Sequence, residues 1–252
     1  MRVVFMGNNR VGQVLLRWLV ERGQLPVGLV VHPAARAKFR NEMIEVVKPF
    51  KIPVWDADRL KTPQMLEALR AMKPDLIMSV LFGYILPKQV LELPRAGAIN
   101  LHNGYLPYNA GSFANVWSIV ERTPAGATLH YMDEGIDTGD IIARKEVPIS
   151  PDDTGATIYA KIEDAQISLF KETWDSMIDG TAGRSKQDMS LRTYHKMADT
   201  DSIDLIELDR CYKARELIDI LRARTFSPHR GAYFVEGGRR YYVSITIEAM
   251  KT

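Results

Sequence analysis

Short apolar runs alternate with longer amphipathic stretches through the first two thirds of the chain. Val3-Val-Phe-Met6 predicts a strand over 3–6. Over 11–22, Val11, Val14, Leu15, Trp18 and Leu19 recur at i, i+3, i+4, i+7 and i+8, which draws one apolar stripe along a helix. The alternation continues with a strand over 27–31, a charged helix over 37–47 and a short strand over 52–55. A helix over 62–72 then turns Met65, Leu66 and Leu69 inward. Leu76-Ile-Met-Ser-Val80 is a continuous apolar run, the pattern of a strand covered on both faces. A short helix over 86–93 around Pro87 and a strand over 98–102 complete the series. Regular strand–helix alternation predicts an α/β fold, a Rossmann-like, mostly parallel sheet with helices on both faces. Such sheets bind ligands beyond the carboxyl ends of their strands, where the strand order reverses. Gly7-Asn-Asn-Arg10 and Asn100-Leu-His102 both fall at strand ends of this kind.

The pattern changes after Ile141. Residues 141–149 form a strand of mixed character, and 154–177 a long helix whose start, Asp153-Thr-Gly-Ala-Thr, offers capping side chains. Residues 180–187 read as a turn-rich break, 209–224 as a helix, and 233–247 as a hairpin around Glu236-Gly-Gly-Arg239. The expected division is an N-terminal catalytic domain over 1–180 and a C-terminal extension over 181–252 with one helix and the hairpin. A lone two-stranded ribbon is marginal in water. Tyr233, Phe234, Tyr241, Val243, Ile245 and Ile247 therefore need cover, and a second copy of the chain would supply it: the expectation is a homodimer through the hairpin.

Composition narrows the function. The chain has 252 residues, 46% apolar and 25% charged, with 33 Lys+Arg against 31 Asp+Glu and a net charge of +2. That balance gives no surface for a polyanion, and nucleic acid is not an expected partner. The single cysteine, Cys211, excludes an intrachain disulfide framework and a cysteine zinc cage, so the expected compartment is the reducing cytoplasm. The apolar start is too short for a signal peptide. The longest uncharged apolar stretch, 76–87, contains a Gly, a Ser and a Pro and falls short of the ~20 residues of a membrane span. His102, His130 and Asp137 have ligating groups, but no metal-binding spacing accompanies them, and no metal is expected. Gly7-Asn-Asn-Arg-Val-Gly12 lacks the glycine pattern for a dinucleotide. It reads either as a tight turn or as an anion site at a helix N-terminus aided by Arg10.

The chemistry concentrates between Ala98 and Ile142. Asn100 and His102, two apart on a strand, point to the same face, so an amide donor and an imidazole can flank one reacting atom. Asp137 sits in the turn-rich Glu-Gly-Ile-Asp-Thr-Gly-Asp, from which a carboxylate can reach an imidazole. Each residue alone has an ordinary structural reading, as a turn cap, a core histidine or a turn aspartate. Asn100-x-His102 with Leu106-Pro107, followed by Met132-Asp-Glu-Gly-Ile-Asp137-Thr-Gly-Asp, resembles the folate-dependent formyltransferase family. Leu106-Pro-Tyr-Asn, Asn115-Val-Trp-Ser-Ile and Thr123-Pro-Ala-Gly-Ala-Thr-Leu-His-Tyr-Met-Asp resemble its nucleotide-sugar N-formyltransferase branch, whose bacterial members formylate 4-amino-4,6-dideoxy sugars on dTDP.

The resemblance implies a formyltransferase fold, a catalytic set of Asn100, His102 and Asp137, and N10-formyltetrahydrofolate as formyl donor. It places the pterin against Phe82, Tyr84, Ile85 and Leu86 and against the backbone near Met132, Asp133 and Ile136. Gly83 lets the backbone approach a flat ligand closely. The implied acceptor is a nucleotide-linked amino sugar. Asn8, Asn9 and Arg10 at the first strand end are candidates to meet it, with Gly104, Tyr105 and Tyr108 beside the catalytic strand and Trp117 as support. The dimer also resembles this branch. Where the family often has Arg after Tyr-Asn and Pro before Asn-Val-Trp, this chain has Ala110 and Ala114, so no arginine contact carries over. Methionyl-tRNA formylation is the rival activity, but residues 201–252 hold nine basic against eight acidic side chains, a poor grip on tRNA. Formyl-folate hydrolysis would use the same three polar groups with water as the acceptor. A folate- or nucleotide-binding scaffold without catalysis is the non-enzymatic reading, and the presence of all three groups argues against it.

Overall fold

A computed structural model describes residues 1–250. The first half runs β1 (Val3–Gly7), α1 (Asn9–Glu21), β2 (Gly28–Val31), α2 (Arg40–Val47), β3 (Val54–Asp56), α3 (Pro63–Ala71), β4 (Leu76–Val80), α4 (Lys88–Leu91) and β5 (Ala98–His102). It continues with β6 (Ala110–Gly111), α5 (Ala114–Val120), β7 (Ala125–Tyr131), β8 (Ile141–Val147), α6 (Gly155–Asp179), β9 (Tyr194–His195), α7 (Asp201–Asp204), α8 (Ala214–Ala223), β10 (Tyr233–Glu236) and β11 (Arg239–Tyr242). The main sheet has seven strands in the order β3-β2-β1-β4-β5-β7-β8. The pairs among β1 to β5 are parallel, and β7 runs antiparallel to β5. The mostly parallel α/β sheet read from the alternation is the one observed.

β1 and β4 are buried at every position. Covered on both faces, they need no polar side, which is why they read as unbroken apolar runs. The strand order reverses between them. At that point Gly7 pairs with Val80, and the Asn8 N–H donates to the Val80 carbonyl at 3.2 Å.

Differences from the expected elements have local causes. α2 begins at Arg40 rather than 37 because Phe39 takes a left-handed φ of 59°, which a helix cannot include. α8 begins at Ala214 rather than 209: Lys213 is extended, and the Glu207 N–H donates to the Tyr212 hydroxyl at 3.0 Å. The hairpin ladder closes at Tyr242, short of 247. β7 and α5 have no counterpart among the expected elements. β7 opens Ala-Gly-Ala-Thr and is buried at six positions of seven. A strand closed in on both sides by small residues shows neither alternation nor β-branched enrichment.

The chain gathers into two compact units. The first comprises Met1–His102, Thr128–Arg144 and Gln166–Gln187. One of its core clusters holds Val4, Met6, Val30, Leu69, Ile77, Phe82 and Val90. Elsewhere in this unit Phe170 stacks on Trp174 at 5.1 Å and meets the edge of Trp18 at 6.0 Å, and the Trp174 indole N–H donates to the Gln24 side-chain oxygen. The second unit comprises Asn103–Ala127, Lys145–Ala165 and Asp188–Thr252. Within it, Asn115 donates to the Gly155 carbonyl at 2.9 Å, and buried Asp219 accepts from both Arg122 and Arg222. Asp153, one of the expected cap residues, accepts from the Ser150 N–H, the Thr157 hydroxyl and the Lys161 ammonium. Burial pushes its carboxyl up, and these three donors outweigh that and hold it below the ordinary carboxylate range. The carboxylate is therefore ionised at neutral pH, and the stabilisation from these bonds is lost as pH falls through that lowered value; the expected cap residue that accepts a helix N–H is Thr154, whose hydroxyl takes the Thr157 N–H at 3.3 Å. Among the described residues no helix is long and apolar enough to cross a membrane.

Candidate functional site

The site grows from one row across the sheet. Asn100 on β5 pairs with Ser79 on β4 and with His130 on β7, so three polar side chains lie side by side in an otherwise apolar layer. The Ser79 hydroxyl donates to Asn100 Oδ1 at 2.9 Å, and Asn100 Nδ2 lies 3.2 Å from His130 Nε2. His130 Nδ1 lies 2.7 Å from the Tyr131 carbonyl, which can only accept. The Nδ1 atom must then carry the proton, leaving Nε2 of the neutral ring to accept from Asn100. This chain of bonds fixes the Asn100 amide orientation. Nδ2 has two N–H groups, and His130 engages one of them.

His102, two residues along the same strand, faces the same side. It is 5% exposed, and its ring centroid lies 6.3 Å from that of His130. Asp137 reaches both histidines from the loop after β7. Its Oδ2 lies 3.5 Å from His102 Nδ1 and its Oδ1 3.5 Å from His130 Nε2. The carboxylate thus faces both rings. Asp137 has a left-handed φ of 53°. Its loop is tied by Asp133, which accepts from the Gly135 N–H at 2.9 Å and the Thr138 hydroxyl at 2.6 Å. The structure thus brings Asn100, His102 and Asp137 together and adds Ser79 and His130, which the sequence pattern did not assign to the site. Ser79 carried a signal, being the single polar residue in an apolar strand.

The expected donor residues divide by exposure. Phe82 and Leu86 are buried in the core cluster. Gly83 and Ile85 are exposed, Ile85 at 74%. Gly83 has φ 66° and follows Leu81 at φ 46°, so the chain turns sharply outward after β4, and the Phe82 carbonyl is engaged by His32 Nε2. Tyr84, Phe82 and His32 form an aromatic cluster with centroids 5.0 to 5.4 Å apart. Met132 is half-buried, while Asp133 and Ile136 are exposed. Met132 and Asp133 line a hollow of about 530 Å³ with Lys88, Leu91, Glu92 and Glu134.

Of the expected acceptor residues, Asn8 is 7% exposed, and its Oδ1 accepts from the Lys38 N–H at 2.9 Å. Its side chain thereby holds the segment after β2. Asn9 (φ 62°) and Arg10 begin α1 and are half-buried. Gly104, Tyr105, Tyr108 and Trp117 belong to the second unit. There Gly104 is buried, Tyr105 and Tyr108 are half-buried, and Trp117 stacks flat on His195 at 3.9 Å. Ala110 and Ala114 are buried, so both positions serve packing. The second unit also has a hollow of about 890 Å³, lined by Arg122, Glu146, Ile218 and Arg222 among others; it contains none of the expected site residues. Among the described residues, no group of three His, Cys, Asp or Glu is arranged to hold a metal ion.

Comparison with known proteins shows which family the chain resembles in sequence and fold. A family model described as formyl transferase matches residues 1–173, and one described as N-formyltransferase dimerization C-terminal domain matches residues 199–249. The methionyl-tRNA formyltransferase of Geobacter sulfurreducens is 33% identical over 247 residues, covering 94% of this chain and 75% of that protein. A crystal structure of a 4-N formyltransferase from Francisella tularensis superposes with a TM-score of 0.84 and 28% identity, covering 99% of this chain and 98% of its own. The formyltransferase PseJ from Anoxybacillus kamchatkensis, in complex with UDP-4,6-dideoxy-4-formamido-L-AltNAc and tetrahydrofolate, superposes with a TM-score of 0.60 and 28% identity, covering 80% of this chain and 89% of its own.

Proposed function

Since the chain belongs to the formyltransferase family, we propose that it transfers a formyl group from N10-formyltetrahydrofolate to the amine of a nucleotide-linked 4-amino-4,6-dideoxy sugar, with dTDP as the carrier to which the sequence resemblance points. The observation that carries the chemistry is the Asn100 amide. Ser79 and His130 lock its orientation and leave the second Nδ2 N–H for a substrate oxygen. Attack of the sugar amine on the formyl carbon puts negative charge on the formyl oxygen. Asn100 donates to that oxygen, a preorganised contact of the kind worth about 3–4 kcal/mol. His102 takes the proton from the attacking nitrogen and returns one to N10 of the folate as the carbon–N10 bond breaks, so the products are the formamido sugar and tetrahydrofolate. Asp137, 3.5 Å from His102 Nδ1, orients the ring and stabilises its charged form.

The outward turn at Leu81-Phe-Gly83, with Gly83 exposed, and the half-buried Met132 suit a flat pterin, which needs apolar surface and close backbone approach. The sugar acceptor is supported by the 4-N formyltransferase likeness, which runs almost the full length of both chains. The 33% identity to a methionyl-tRNA formyltransferase favours the second reading, transfer to an aminoacyl-tRNA. Incubating the purified protein with N10-formyltetrahydrofolate and dTDP-, UDP- and GDP-linked amino sugars, with methionyl-tRNA in parallel, decides between them. Formylation of a 4-amino sugar nucleotide is expected. Formylated methionyl-tRNA with unchanged sugars would overturn the acceptor, and folate hydrolysis alone would identify a hydrolase.

The likeness to a dimerization domain supports a homodimer through the β10–β11 hairpin. Val235, Tyr241 and Tyr242 are each more than 40% exposed on that ribbon. A dimer by light scattering at micromolar concentration, converted to monomer by Val235→Glu with Tyr241→Glu, is the expected result. A wild-type monomer contradicts it.

A further inference from the structure

Residues 180–187 read from sequence as a turn-rich break, yet their second half runs as a strap along the loop that carries Asp137. Ser185 and Ile141 form an antiparallel bridge, with N–H to carbonyl bonds of 2.7 and 2.9 Å. Arg184 Nε donates to Asp140 Oδ2 at 2.8 Å, and its guanidinium lies 4.3 Å from the Tyr131 ring centroid. Gln187 ends the strap. Its Nε2 donates to the Asp137 carbonyl at 2.9 Å and to the Gly139 carbonyl at 2.7 Å. One amide nitrogen thus uses both of its N–H groups to clamp the two ends of a three-residue turn. The other amide atom, Oε1, is buried without a hydrogen-bond partner. The amide cannot be turned over, because Oε1 would then face two carbonyl oxygens.

We propose that Gln187 is a positioning residue for the formyl transfer: by clamping the Asp137 and Gly139 carbonyls it holds Asp137 in its left-handed conformation, with its carboxylate between His102 and His130. The inference rests on the reading of Asp137 and His102 given above. A left-handed backbone at a residue with a side chain persists only where its surroundings enforce it. Asp137 Oδ2 lies 3.5 Å from His102 Nδ1, so a shift of about 1 Å in its loop makes or breaks that contact.

The test compares Gln187→Glu, which keeps the size and removes both donors, with Gln187→Lys, whose ammonium can donate to both carbonyls. Each is made alone and with Asp137→Asn, and kcat and both KM values are measured for the sugar and folate substrates. Gln187→Glu is expected to lower kcat by about 10²-fold with KM little changed. Gln187→Lys recovers part of the loss, and neither change lowers kcat further once Asp137 is Asn, because both act through one carboxylate. Gln187→Ala gives the same comparison if the carboxylate variant does not fold. Wild-type kcat in Gln187→Glu, or the same fold loss in the Asp137→Asn background, overturns the inference and leaves the function standing. Wild-type kcat in Asp137→Asn itself removes the proposed chemistry, and the inference with it.

Discussion

Asn100→Ala is expected to lower kcat by about 10²–10³-fold, the loss that follows removal of one preorganised oxyanion donor. Truncation removes the N–H aimed at the developing charge. It also strips Ser79 Oγ of its acceptor and His130 Nε2 of its donor. Little of the core is disturbed, because the three polar groups form their own row across β4, β5 and β7. His102→Ala removes the proton carrier and is expected to cost about 10²–10⁴-fold. Single-turnover formyl transfer with saturating donor measures both, and calorimetric titration with the folate checks that the donor still binds. Near-normal turnover in either variant removes the mechanism.

Gly139→Ala is expected to be nearly as damaging, for a reason that involves no chemistry. A Cβ at this position would stand 1.9 Å from the Tyr131 carbonyl oxygen and 2.8 Å from its carbon. Backbone at that point cannot yield. The Tyr131 N–H donates to the Asp140 carbonyl at 2.9 Å, and the Met132 N–H to the Ala98 carbonyl at 2.7 Å. The end of β7 and the Asp137 loop would have to separate. Overpacking of this kind costs about 1–3 kcal/mol, a drop of about 2–4 °C in Tm per kcal/mol at this size. A kcat loss of about 10²-fold accompanies it because the carboxylate moves. Gly183→Ala is the control. Its Cβ would meet only the Ile142 carbonyl oxygen at 3.5 Å, an ordinary contact, and little change is expected. A Gly139→Ala protein with wild-type Tm and kcat would show that the loop has slack that its close contacts deny.

How legible the molecule was in its sequence depended on the range of the interaction involved. The fused apolar runs of β1 and β4 declared themselves because a strand buried on both faces has no polar side to show. Asn100 and His102 could be placed on one face by the period of a strand alone. His130 could not. It joins the site only because β7 pairs antiparallel with β5 in the register that sets it opposite Asn100, and β7 begins with small residues that hide its period. Phe82 and Leu86 show another limit: apolar residues beside a turn carry no local pattern that tells a ligand-facing position from a core one, and their burial in the core cluster came only with the fold.

Local periodicity and residue chemistry determined the alternation of strands and helices from β1 to β5, the shared face of Asn100 and His102, and the presence of a carboxylate in a turn-rich loop. Only the tertiary structure decided which partners those groups meet: Ser79 and His130 on either side of the amide, Asp137 between two imidazoles, and Gln187 across the loop that holds it. The physical reason is that period and propensity act over a few residues, whereas strand register and loop clamps join segments distant along the chain through bonds that no local pattern encodes.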